Sequence, residues 1–356
     1  MSNANNYNIE LYLEKYFDEK LTQGLIPELS EFKDYFDTIT EELFLDQSKK
    51  DTAIIIYNEL SSLKILEQLV EIPNLEEATF QDFNQVRIKT SKITYLKKIN
   101  IKKTEYQRLI KVLIIKKNIS LNTKKPFCSF TIILSDVLLR LTILKTINAT
   151  ILTIRLMNKS GFLLEDYFSS LKFSQVLKSS IKNKKNLLIA GKTGSGKTSL
   201  LQSIIKNEIS IEDQVCILED LQEINIESKN IIHLATDKLN HPMEELISWA
   251  LRLSPNRIIL GEIRSKEAIG FFNILNTGHS GSMATIHANS ASDAIDRISF
   301  LINFYQSEMR NDHVQVKKLI VNFIDEVIFV ENKKVAEHIK IKGTSKEGAL
   351  YFENLI

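Results

Sequence analysis

The chain of 356 residues has only two cysteines, Cys128 and Cys216, 88 positions apart. Such a pair gives no disulfide framework and fits a reducing compartment. Long apolar runs are missing too. The most apolar region, Thr131–Leu156, is broken by Asp136, Arg140, Lys145 and Arg155, too many charges for a membrane-spanning helix. Met1–Glu10 is polar, so no signal peptide is expected. There is no internal repeat and no low-complexity tract. Apolar content of 44% and charged content of 25% are ordinary for a folded domain, and the length leaves room for two cores.

Net charge is small, +2, but unevenly spread. Residues 1–50 hold eleven acids against five lysines, and Leu11, Leu13, Tyr16 and Phe17 fit an amphipathic helix. Residues 97–125 hold ten Lys/Arg and one acid, Glu105. Leu109, Ile110, Leu113 and Ile114 in that stretch suggest a helix on a core with its lysines outward. Such a stretch is either a solvated face or a surface for polyanions, anionic lipid ahead of nucleic acid.

The chemistry concentrates between Gly191 and His287. Asn186–Ala190 is a short apolar run that fits a buried strand of a parallel sheet. Gly191-Lys192-Thr193-Gly194-Ser195-Gly196-Lys197-Thr198 follows, and Thr198–Lys206 reads as a helix with Leu200, Leu201, Ile204 and Ile205 on one side. Strand, glycine loop and helix in that order make a phosphate cradle. Its N–H groups bind phosphate oxygens, with Ser199 on the first helical turn completing the binding set. Lys197 brings a charge for the β- and γ-phosphates of ATP, and the Thr198 hydroxyl offers itself to Mg²⁺.

Three further signals say what kind of phosphate machine this is. Gln214–Leu218 reads as a strand ending on Glu219-Asp220, at the sheet edge where ligands of doubly wound folds bind. A carboxylate there can deprotonate water. Arg257–Leu260 is a third strand, closed by Gly261-Glu262, with Glu262 placed for the Mg²⁺ shell and Arg264 for bidentate pairing with phosphate. His279 and His287 flank a strand at 282–286. With no third ligand at suitable spacing, phosphate sensing is the better reading of the two histidines than a metal site.

These residues carry a resemblance. Gly191–Thr198, Ile217–Asp220, Leu251-Arg252-Leu-Ser-Pro-Asn256 with Arg257–Arg264, and Thr277–Asn289 closely resemble the traffic ATPases of secretion and pilus systems. Those proteins share a Walker A loop, an acidic box, an atypical Walker B and a histidine box in this order. The likeness is most specific over residues 160–300. It implies an α/β fold: a RecA-like P-loop core at 159–356 behind a smaller α+β N-terminal domain at 1–158. It also implies a homohexameric ring, peripheral to the cytoplasmic face of the bacterial inner membrane, beside other secretion components. ATP and Mg²⁺ are the implied ligands, and direct binding of nucleic acid is not expected.

By the same resemblance Glu219 is the general base and Glu262 the Walker B acid, with Lys197 and Arg264 neutralising charge. Thr198 and Glu262 hold Mg²⁺ through water, and Arg252, His279 and His287 are sensor or trans candidates. Asn256 stands where the family usually has Asp, which removes a charge near the site. With two cysteines the four-cysteine zinc motif of the type II branch is absent. Ser135–Leu144 and Ile151–Arg155 are two β-like runs, each with an arginine, and look most like the type IV secretion branch. Arg140 and Arg155 then become candidates for reaching nucleotide across a subunit boundary. A pilus retraction ATPase, a nucleotide-gated structural subunit and a nucleic-acid translocase are the rival readings. The domain boundary is expected near Asn158–Gly161, before a helix at Leu163–Ser170. Alternation of helices at 243–253 and 266–276 with strands implies a mostly parallel sheet, closed by strands at 324–330 and 336–342.

Overall fold

The computed structural model describes residues 2–42, 50–61, 63–134, 136–157, 163–226, 228–236, 241–305 and 313–356. The chain divides into two compact units, Met1–Met157 and Asn158–Ile356. The expected boundary at Asn158–Gly161 lies outside the described residues, as does Ser135.

The first unit begins with helices α1 (Ser2–Thr22), α2 (Leu29–Glu42), α3 (Lys50–Leu60) and α4 (Lys64–Val70). Strands β1 (Leu75–Asp82), β2 (Gln85–Thr90) and β3 (Thr94–Lys98) precede α5 (Lys103–Lys116). Strands β4 (Phe127–Leu134), β5 (Val137–Lys145) and β6 (Thr150–Leu156) complete it. The six strands form one antiparallel sheet in the order β3-β2-β1-β6-β5-β4. Period-two alternation gives it one apolar face, with Ala78, Phe80, Ile88, Leu139, Leu141 and Ile154 packed with Leu109 and Leu113 of α5. Its other face carries Thr79, Ser129, Thr142 and Thr153, whose hydroxyls pair across strands at 3.0–3.2 Å.

Helix α5 is covered on two sides. Val112 joins Leu13, Phe17, Phe32 and Phe36 in the cluster of α1–α3. Arg108 is 4% exposed and grips Asp18 of α1 through two hydrogen bonds, from Nε to Oδ1 at 2.8 Å and from Nη2 to Oδ2 at 3.0 Å. One of the ten basic residues of the 97–125 stretch is therefore a packing residue and not part of a solvated face. The i, i+4 pair Leu13 and Phe17 is buried as expected, whereas Leu11 points to solvent.

In the second unit a 3₁₀ turn at Leu164–Tyr167 precedes α6 (Leu171–Lys182). The helix expected at Leu163–Ser170 is not there. Ser170 caps α6 instead, its side chain accepting from Lys172 N, which starts the helix one residue after the expected one ends. Then follow β7 (Leu187–Gly191), α7 (Lys197–Asn207), β8 (Val215–Glu219), β9 (Ile231–Ala235), α8 (Met243–Arg252), β10 (Arg257–Ile263) and α9 (Glu267–Asn276). The unit closes with β11 (Met283–Ile286), α10 (Ala291–Tyr305), α11 (His313–Ile320), β12 (Glu326–Glu331), β13 (Lys334–Thr344) and β14 (Leu350–Asn354).

Eight strands form a sheet in the order β14-β13-β12-β7-β11-β10-β8-β9, parallel from β12 to β9 and antiparallel at β13 and β14. Strands β7, β8 and β11 are buried along their whole length, as strands covered by helices on both faces must be. One apolar cluster lies between the sheet and α8–α10, the other between the sheet and α6–α7. Strand β14 was not anticipated from the sequence: it is five residues long, two of them, Glu353 and Asn354, charged or amide, and it is largely exposed.

Removing Asp18 leaves a buried guanidinium without its carboxylate. Asp18→Ala is expected to cost about 2 kcal/mol, the scale of a charged hydrogen bond at a half-exposed partner. Urea unfolding measures it; an unchanged midpoint would show the pair to be decorative.

Candidate functional site

Parallel strands place their C-terminal ends on one edge, and four functional segments meet there. The phosphate loop leaves β7, Glu219 ends β8, Glu262 lies one residue before the end of β10, and His287 follows β11. The loop turns where only glycine fits. A Cβ on Gly191 would sit 2.4 Å from Val330 O and 2.5 Å from Ser195 Oγ, and Gly196, with φ of +105°, caps α7 from the left-handed region. Lys192, Thr193 and Gly194 are exposed, while Thr198 and Ser199 are half-buried on the first turn of α7. Ser195 Oγ is buried and lacks a hydrogen-bond partner among the described residues. A buried orphan hydroxyl inside a ring of glycines and a helix N-terminus is what a phosphate oxygen fits.

Lys197 is 7% exposed. Its Nζ donates to Gly191 O at 2.9 Å and Lys192 O at 3.1 Å, and lies 3.3 Å from His287 Nδ1. Burial lowers its pKa to about 8, against the pull of Glu262. His287 Nε2 in turn lies 2.6 Å from Glu262 Oε1. Glu262 Oε2 accepts from Arg264 Nε at 2.6 Å, and Arg264 Nη1 is 3.6 Å from Asp220. Burial first, and then the Lys197 charge, hold the His287 pKa below its ordinary value. A neutral imidazole with its proton on Nε2 leaves Nδ1 to accept from Lys197, while Nε2 lies against Glu262 Oε1, an oxygen with no hydrogen-bond partner among the described residues. The five side chains Lys197–His287–Glu262–Arg264–Asp220 thus form one connected line. Arg264 spends its fork on two acids rather than standing open, as the sequence suggested.

Glu219 is 5% exposed, and burial raises its pKa to about 8. Its Oε1 accepts from the backbone N–H of Glu223 and Ile224 at 3.2 Å each, which partly offsets that rise. Sequence reasoning missed what holds it. A Cβ on Gly261 would lie 2.8 Å from Glu219 Cγ, so the glycine of β10 is the groove in which this carboxyl rests. Thr285 Oγ1 donates to Gly261 O at 2.6 Å and fixes the glycine from the other side. The tight turn Asn332-Lys333, with φ of +51° and +60°, was also missed. Lys333 N donates to Ser195 O at 2.8 Å, which ties the β12–β13 hairpin to the phosphate loop. A two-residue turn of this class is signalled by glycine, and here there is none.

Three expected site residues are elsewhere. His279 precedes β11, so it lies on the opposite edge of the sheet from His287, with Nδ1 3.1 Å from Thr277 Oγ1. The two histidines cannot share a ligand. Arg252 is exposed on the last turn of α8, which leads into the N-terminal end of β10. Asn256 sits on that same far edge, where its Oδ1 accepts from Gln214 N at 2.8 Å and closes β8 against β10. Its missing charge is not near the phosphate loop, and an amide oxygen makes the hydrogen bond as a carboxylate would.

In the first unit, Arg140 and Arg155 are direct cross-strand partners on the polar face, with Glu77 next in the row beside Arg155. Both arginines are half-buried, and Arg140 Nε is 3.4 Å from Ser129 Oγ. Like charges facing each other across strands are destabilising. Only the register reveals this pairing.

The type II/IV secretion system protein family matches residues 79–325. The type IV secretion system protein VirB11 of Bartonella quintana (strain Toulouse) is 31% identical over 179 residues, 49% of this chain and 49% of that protein. The conjugal transfer protein TrbB of Rhizobium radiobacter is 32% identical over 190 residues, 51% of this chain and 57% of that one. The chain thus spans about half the length of the relatives it matches. Its fold is shared with the pilus retraction motor PilT (TM-score 0.58, 16% identity, 82% of this chain and 81% of that one). The Legionella pneumophila ATPase DotB is similar in the same way (TM-score 0.53, 18% identity, 82% and 78%).

Two tests follow from the Glu219 pocket. The folded chain keeps the Glu219 proton up to about pH 8, whereas an unperturbed glutamate releases it near 4.5, so stability falls as pH rises across that window. Glu219→Gln removes the titration. Its melting temperature relative to wild type is expected to climb from pH 5.5 to 8 and then level off. A pH-independent offset would mean the carboxyl is not desolvated. Gly261→Ala should displace Glu219 from its groove and flatten the same pH dependence of the melting temperature; an unchanged profile would show that the glycine does not seat the carboxyl.

Proposed function

Because the chain belongs to the type II/IV secretion system protein family, we propose that it is an ATP-hydrolysing motor of a type IV secretion apparatus. It works as a homohexameric ring at the cytoplasmic face of the inner membrane, bound there peripherally, alongside other inner-membrane components. What carries the reading is one sheet edge that combines a phosphate loop, a buried Lys197, a carboxyl of raised pKa at Glu219 and a tethered carboxylate at Glu262. The names VirB11 and TrbB of its relatives support the transport role.

ATP lays its phosphates on the N–H groups of the loop and the N-terminus of α7. Lys197 exchanges its carbonyl partners for β- and γ-phosphate oxygens, an easy move because three rotatable donors follow a flexible stem. Thr198, and Glu262 through water, would hold Mg²⁺, which would supply positive charge beside the phosphates. Glu219, once ionised, is a strong proton acceptor because its conjugate acid is weak, and it takes the proton of the attacking water. Arg264 and the Arg140–Arg155 pair of a neighbouring subunit stabilise the charge that develops. His287 senses the outcome. Its Nδ1 loses Lys197 while the γ-phosphate is present and regains it after release, and Glu262 feels the change through Nε2. Arg252 and His279, on the far edge, act in contacts between subunits rather than on the phosphates of their own.

Mg²⁺-dependent ATP hydrolysis across a protein-concentration series tests the reading. Turnover per chain is expected to rise as rings assemble, Lys197→Ala to lose nucleotide affinity, and Glu219→Gln to bind ATP without hydrolysing it. Arg155→Ala should lose about 10³-fold in turnover, roughly 4 kcal/mol of barrier, with an unchanged melting temperature. Wild-type turnover in Arg155→Ala removes the trans assignment. ATP binding without Glu219-dependent turnover, with rings present, makes the chain a nucleotide-gated structural subunit.

A further inference from the structure

The register of the first sheet collects most of the basic stretch at one end. Lys97 and Lys98 pair with Val86 and Gln85, which places them beside the β1–β2 turn. Tyr106 Oη donates to Thr150 O at 2.7 Å, so the first turn of α5, with Lys102 and Lys103, comes to the start of β6, at the same end. Lys145 N donates to Pro126 O at 2.7 Å, which joins the β5–β6 turn to the loop carrying Lys124 and Lys125. Asn122 Oδ1 accepts from the N–H groups of both these lysines at 2.9 Å and so shapes that loop. All seven lysines are exposed. Among the described residues Asp82 and Glu105 lie within the rim and each accepts from backbone, Asp82 from Phe83 N and Glu105 from Lys102 N, while Glu10, Glu14 and Glu59 line a pocket with Asn100, Ile101 and Glu105 at its α5 side.

Large apolar side chains stand among these lysines with nothing over them. Ile147, at the tip of the β5–β6 turn, is 101% exposed, Phe127 59% and Leu144 37%. Phe127 and Leu144 are cross-strand partners. Six strands about 4.8 Å apart spread this rim over roughly 24 Å. At the opposite end, among the described residues, Ile133 is exposed near the β4–β5 turn, and Ile93 near the β2–β3 turn has only Lys92 and the Glu76-paired Lys89 beside it.

We propose that this rim, with Ile147 and Phe127 inserting between lipid headgroups and the lysines on anionic phosphates, is the surface by which the chain docks on a bilayer. The proposal rests on the peripheral membrane location inferred above and assigns it to particular residues. Charge alone would suit a nucleic-acid backbone equally. The exposed isoleucine and phenylalanine decide between them, because they gain from hydrocarbon burial and a sugar-phosphate backbone offers none. Each lysine at an anionic surface is worth roughly five-fold in partitioning at physiological salt.

The full chain is sedimented with phosphatidylcholine vesicles, with and without phosphatidylglycerol, and in parallel titrated with duplex DNA. Binding is expected only to the anionic vesicles. Lys124→Glu with Lys125→Glu should weaken it at least about 25-fold, and Ile147→Asp about ten-fold, while Ile133→Asp leaves it unchanged. None of the four substitutions should alter ATP turnover in solution. Wild-type binding that survives Ile147→Asp and the double lysine change overturns the surface but leaves the membrane reading standing. A wild type indifferent to anionic vesicles overturns both, and if it then binds DNA through Lys124 and Lys125, the rim is a nucleic-acid surface.

Discussion

An ammonium group 7% exposed has to find partners, and the partners of Lys197 organise the site. Two loop carbonyls and an imidazole nitrogen hold it, and through that imidazole its position is coupled to Glu262, Arg264 and Asp220. Any anion entering the glycine loop competes for the same charge. In the proposed cycle it is the γ-phosphate that draws Lys197 from His287, and the acid beside the histidine meets the change through Nε2. Lys197, His287, Glu262, Arg264 and Asp220 form one line of polar contacts.

Glu219 stands outside that line, and its separation is physically useful. It rests in the groove of Gly261, desolvated and held by two backbone N–H groups, with a pKa near 8. Glu262, by contrast, lies against His287 and accepts from Arg264. Two carboxyls at one sheet edge thus have different surroundings: one is desolvated in a glycine groove, the other is paired with an arginine.

The sequence made the phosphate loop legible because strand, glycines and helix are contiguous, and each carries a local signal. Glu219 and Glu262 were legible for a related reason: each ends a short apolar run, and in a parallel sheet those ends share an edge. Which edge His279, Arg252 and Asn256 occupy was not legible, because a motif read along the chain does not reveal which end of a strand it occupies. Four residues of β11 suffice to put His279 on the far side. The Arg140–Arg155 pairing and the lysine rim depend on strand register, which no local pattern encodes, least of all between β1 and β6, where Glu77 pairs with Arg155, 78 positions on. Likewise the burial of Arg108 depends on a helix 90 positions away.

The account stands or falls on whether His287 reports the phosphate through Lys197. Nitrogen-15 NMR of a chain labelled in its histidines, with the His287 signal assigned by His287→Gln, addresses this directly. The protonated Nε2 signal should persist throughout. The Nδ1 resonance should move downfield with Mg²⁺ and a non-hydrolysable ATP analogue, as it loses a charged donor, and return with ADP. Identical Nδ1 shifts with the analogue and with ADP, both at saturation, would contradict the coupling.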